Sequence, residues 1–68
     1  MTASELDENL RLIGWSIRQT ADRVGLQEQH IRRMINGEKP IPPELGRYID
    51  AVATLIAAIV PPDLRDTF

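Results

Sequence analysis

The sequence predicts an all-α fold, a small bundle of four to five helices. Apolar residues recur at helical spacing in successive stretches, first Leu6, Leu10 and Ile13, then Ala21 and Val24, then Ile31, Met34 and Ile35, and last a long series from Leu45 to Ile59. Residues that start helices precede these stretches, and Gly14, Gly25, Gly37 and Pro61 follow them. The length, 68 residues, leaves room for one domain, residues 1–68, whose folding buries about 60% of the unfolded surface.

Taking the elements in order, Thr2 or Ser4 caps a first helix with Glu5, Asp7 and Glu8 in its early turns, where the positive end of the helix dipole favours carboxylates. Gly14 closes it, and Trp15 is expected to pack at the junction rather than to meet a ligand. Ser16 with Gln19 reads as a capping box opening a second helix. Ala21 and Val24 face inward there with help from Ile17, whereas Arg18, Asp22 and Arg23 face water. Gly25 supplies the positive φ of a sharp turn, with Leu26 expected to tuck beneath it. A third helix then runs from about Gln27 to Asn36, its inner face made by Ile31, Met34 and Ile35. Placed at 100° steps, Gln29 and Arg33 lie opposite that face, Arg32 and Asn36 on one flank and His30 on the other.

The segment 38–43 is a proline-rich connector, with Pro43 fitting the first position of a last helix over about 43–60. Leu45, Ile49, Val52, Ile56 and Ile59 follow a heptad-like 4, 3, 4, 3 spacing, widened by Tyr48 and Leu55. The part from Ala51 on is uncharged and apolar nearly all round, so more than one of its sides needs covering. Pro61 and Pro62 stop it, and 61–68 is expected to be a frayed tail.

Composition removes several functions. With no cysteine there is no disulfide framework or thiolate metal site, and with one histidine, His30, no His-pair site, so neither a metal nor a cofactor is expected. No 18-residue apolar run is present, and Asp and Glu stand near the N-terminus where a signal peptide carries Lys or Arg. The expectation is a soluble cytoplasmic protein with no membrane partner and no small-molecule substrate. His30 has no Ser, Cys or metal-ligand companion at motif spacing, which argues against an enzyme. The net charge of -2 hides a division: 1–10 carries -3 and 48–68 carries -2, whereas 11–47 holds seven basic against four acidic residues, a net +3.

Ala21, Gly25, Leu26, Ile31 and Met34, followed by Asn36-Gly37 and Pro40-Ile41-Pro42, resemble the helix-turn-helix of the Cro and phage-repressor (XRE-like) family over about residues 5–58. The resemblance implies a lambda-repressor-like fold and a dimeric, sequence-specific DNA-binding regulator, a Cro-like repressor of a phage or mobile element on a palindromic operator in double-stranded DNA. It implies base reading by Glu28, Gln29, Arg32 and Arg33, and phosphate contacts from Ser16, Arg18, Gln27, His30, Lys39 and Arg47. Ile17 stands where the family commonly has a phosphate-binding Gln and Thr20 where it is usually aliphatic, so Ser16, Arg18 and the helix N-terminal amides are expected to take over that contact. Val52, Leu55, Ile56 and Ile59 form the candidate seam of a homodimer. A different reading is an antitoxin or small inhibitor that binds a protein through the apolar last helix and through Leu64 and Phe68 of the tail.

Overall fold

The computed structural model describes residues 1–59 and 64–66. Four helices make up the structure among these residues, α1 (Ala3–Ile13), α2 (Ile17–Val24), α3 (Glu28–Ile35) and α4 (Pro43–Ala58). The last helix ends at Ala58, short of the expected 60, with Ile59 as its extended C-cap; residue 60 and most of the tail, with Phe68, lie outside the described residues, and Leu64, Arg65 and Asp66 are exposed.

Each helix starts and stops for a local chemical reason. The Thr2 hydroxyl accepts from the Glu5 N–H at 3.1 Å while the Thr2 N–H donates to the Glu5 carboxylate, and Ser16 with Gln19 repeats the exchange at the start of α2. Gly25, at φ 75°, turns the chain out of α2, and the Gly25 and Leu26 N–H groups both donate to the Ala21 carbonyl. A side chain at 25 would meet nothing within 4 Å, so the turn needs glycine for its backbone and not for space. Glu38 N–H closes α3 onto the Arg33 carbonyl at 2.8 Å. Pro43 opens α4, where a missing N–H costs nothing.

A single core gathers Leu6 and Leu10 from α1, Ala21 from α2, Ile31 and Met34 from α3, and Leu45 and Ile49 from α4. Leu6, Ile31, Met34 and Ile49 are fully enclosed, each worth roughly 1.5–3 kcal/mol of hydrophobic transfer. α1 packs along α4 and against α3, and α2 packs on α3. Small residues set how closely the helices approach. Ala21 is buried where α2 meets α3, and a methyl on Gly46 would sit 3.3 Å from the Met1 Cβ.

Three expectations are corrected. Leu26 does not tuck under the turn: it is 38% exposed, because the turn is closed by backbone hydrogen bonds and leaves the side chain beside the start of α4. Gln27 precedes α3 as its N-cap and is not its first residue. The packed stripe of α4 is not the heptad series, since Leu45, Gly46, Ile49 and Ala53 are buried, whereas Val52 is half-buried and Ile56 and Ile59 are exposed. The buried line Leu45, Ile49 and Ala53, with Gly46 beside it, follows a four-residue step where α1 packs on α4, and Ile56 and Ile59 lie beyond its last buried residue. Thr20, a polar residue with no expected interior role, is wholly buried, with its hydroxyl donating to the Ser16 carbonyl at 2.8 Å.

Candidate nucleic-acid interface

The outer surface of α3 is built by the packing of its inner one. Ile31 and Met34 fix the rotation of the helix, and the remaining turns then present Gln29, Arg32, Arg33 and Asn36 to solvent with Glu28 and His30 half-buried on the flanks. Arg32 and Arg33 have no carboxylate within ion-pair distance among the described residues, and the same holds for Arg18 and Arg47, whereas Arg11 pairs with Asp7 at 3.2 Å. Two guanidiniums therefore stand uncompensated and exposed on one helix of eight residues.

Two contacts order this surface. The Gln29 side-chain amide donates to the Gln27 side-chain oxygen at 2.9 Å, so the residue before the helix steadies one on its first turn. The Lys39 ammonium lies 2.8 Å from His30 Nδ1. Because an ammonium can only donate, Nδ1 accepts and the imidazole proton sits on Nε2. Lys39, from the connector, is thereby held against the flank of α3.

The other candidate residues fall at varying removes. Arg18 is exposed on the first turn of α2, close in sequence to Ser16, whose hydroxyl oxygen accepts from the Gln19 N–H and keeps its own proton to donate. Arg47 is not brought to α3: it lines a surface pocket with Met1, Glu5, Gly46 and Asp50, where α4 packs on α1. On α4, Val52 is half-buried, Ile56 is 38% exposed, and Leu55 and Ile59 are about two-thirds exposed, at 66% and 68%.

A second feature was not foreseen from the sequence. Arg23 is exposed, as expected, and also lies over the Trp15 ring at 4.5 Å from its centroid, and Trp15 meets Tyr48 with ring centroids 6.1 Å apart. Beside this stack runs an open groove of about 430 Å³ with Val24, Leu26, Leu45 and Tyr48 as its apolar wall and Arg23 and Glu44 as its charged groups. Trp15 and Tyr48 are 33 positions apart, and nothing in local spacing brings them together. No helix among the described residues is long and apolar enough to cross a membrane. No protein-family model, no curated protein and no solved structure matches this chain.

Proposed function

We propose that this protein is a sequence-specific DNA-binding regulator of transcription, a dimeric Cro-like repressor with a lambda-repressor-like helix-turn-helix in α2 and α3, serving a phage or mobile element in the cytoplasm. The observation that carries the reading is the outer face of α3, where Gln29, Arg32 and Arg33 are exposed, with no carboxylate at ion-pair distance among the described residues, on a helix packed from behind by Ile31 and Met34. A helix of this width enters the major groove, where Arg33 pairs bidentately with guanine O6 and N7, Gln29 with adenine N6 and N7, and Glu28 accepts from cytosine N4. Each good bidentate pair discriminates against a wrong base by about 1–3 kcal/mol.

Phosphate contacts come from Ser16, Arg18, Gln27, Arg32 and the paired His30 and Lys39, which set the register of the helix in the groove. Arg47 reaches the backbone only where DNA bends around the molecule, since it stands with the start of α1. So few cations on an acidic chain bind one half-site weakly, and useful affinity needs two copies on a palindrome with half-sites about 34 Å apart. The exposed flank of α4, Val52, Leu55, Ile56 and Ile59, supplies the seam.

Footprinting on the DNA upstream of the chain's own gene at two salt concentrations tests the reading. Protection of an inverted repeat that weakens as salt rises is expected, and that protection is lost in a folded Gln29→Ala, Arg33→Ala variant. Absence of any footprint at low salt, or an unchanged one in that variant, contradicts it. An inhibitor acting through α4 instead keeps a protein partner in the double variant and shows no protected DNA.

A further inference from the structure

The exposed flank of α4 adjoins the groove lined by Leu26, Leu45 and Tyr48. Every residue from Thr54 to Ile59 is exposed, and Ala51 to Ile59 carries no charge. At 100° per residue, Tyr48, Val52 and Leu55 fall within about 60° of one another and form one stripe on the side of the helix adjoining its buried face, with Ile59 following as the C-cap. At its N-terminal end this stripe runs into the groove, because Tyr48 belongs to both. The apolar positions are also palindromic about Val52: Tyr48 and Ile56 stand four residues to either side, and Leu45 and Ile59 seven.

We propose that a second copy of this chain fills the groove, with its α4 antiparallel to the first and crossing it at Val52. The partner's Ile56 then meets Tyr48, and the partner's Ile59 enters between Leu26 and Leu45. Symmetry places Ile56 and Ile59 in the partner's groove in the same way, so the contact closes at two copies and leaves no site for a third.

Three observations select this occupant. Leu26, Tyr48, Leu55, Ile56 and Ile59 together expose on the order of 400–500 Å² of side chain, more than half of the ~800 Å² that each partner of a stable pair buries. The last turn of α4 has no basic residue, so the negative end of its dipole is uncompensated within its own helix. The antiparallel arrangement brings that end to the groove whose rim carries Arg23, held over Trp15 with the edge of its guanidinium free to donate. Finally, α1 packs on the α4 positions Leu45, Gly46, Ile49 and Ala53, so a parallel pair would crowd two helical bodies at one end of the seam, whereas an antiparallel pair puts one at each end.

This pairing rests on the second copy that the regulator reading requires, but it is measured without DNA, so failure of either is seen separately. The chain has no native cysteine, which makes crosslinking unambiguous. Under mild oxidation, Val52→Cys is expected to give a disulfide dimer, and an equimolar mixture of Tyr48→Cys and Ile56→Cys a mixed dimer well above either alone. Ile59→Cys alone is expected to give none. Leu26→Asp, at an exposed position, should weaken dimerisation roughly tenfold while the helical circular dichroism is retained, and Arg23→Ala roughly threefold. A monomer by sedimentation equilibrium at about 100 μM overturns the proposal. So does self-crosslinking of Ile59→Cys in preference to the mixture, or dimerisation untouched by both groove variants.

Discussion

Thr20 shows how a side chain that helical spacing leaves unplaced still obeys ordinary chemistry. Its β-carbon carries a methyl that fills the interior as an aliphatic residue would, and its hydroxyl turns back to the Ser16 carbonyl, which the Thr20 N–H already bonds at 2.9 Å. Replacing Thr20 by Val therefore strands no acceptor. Thermal or urea unfolding of Thr20→Val is expected to move stability by less than about 1 kcal/mol, against about 2–5 kcal/mol lost in Ile31→Ala, which opens a cavity in the same core. Periodicity made Leu6, Leu10, Ile31 and Met34 legible as core residues, because an apolar side chain has one good place to go. A threonine has two, and which it takes depends on neighbours that spacing does not reveal. Leu26 and Arg23 were hidden for the same reason: one lies beside α4 and the other over Trp15, both settled by contacts between distant segments.

The helices themselves were readable because their ends are written locally. Ser16 with Gln19, Gly25, and Pro43 each act within a few residues, and the structure bears each of them out, while at the first helix it selects Thr2 over Ser4 and makes Glu5 its partner in a capping box. Gly25→Ala is expected to cost about 1–2 kcal/mol by placing a Cβ at φ 75°, although space around it is open. Denaturant titration checks this, and a loss below a few tenths of a kcal/mol would mean that the turn relaxes. At the start of α1, the Thr2 side chain and then the Thr2 backbone N–H hold the Glu5 carboxyl below its ordinary value of 4.5. A lowered folded pKa means that the contribution is complete above the ordinary pKa and is lost as pH falls through the lowered value. Tm should accordingly drop more between about pH 6 and about pH 3 for the native chain than for Glu5→Gln, which keeps a capping side chain that does not titrate. Equal drops would remove Glu5 from the account. What the helical pattern misjudged was α4, where a heptad-like series and a four-residue series overlap at Leu45 and Ile49 and diverge afterwards. The packing of α1 on α4 chose the second.

That choice shapes the molecule as a whole. By spending the line Leu45, Ile49 and Ala53 on its own core, the chain leaves Val52, Leu55, Ile56 and Ile59 on an outer flank, uncharged and beside a groove. The basic excess of 11–47 is likewise turned outward on α3, where Arg32 and Arg33 lack carboxylate partners among the described residues. The two features are complementary in the proposed regulator, since a small reading face gains useful affinity when a second copy binds the neighbouring half-site. Affinity for DNA should fall with salt at a slope set by a handful of phosphate contacts, and Arg18→Ala should reduce that slope by about 1 while leaving base preference unchanged. A steeper loss in Arg18→Ala accompanied by altered sequence preference would show that α2, and not α3, reads bases.

The most direct measurement is enrichment of bound sequences from a randomised pool of duplex DNA, carried out in parallel with the native chain and with a folded Gln29→Ala, Arg33→Ala variant. The native chain is expected to enrich an inverted repeat with half-site centres about 10 base pairs apart. The variant is expected to lose preference at the guanine and adenine positions those residues read. A native chain that enriches no sequence, or a variant that enriches the same one, would contradict the account.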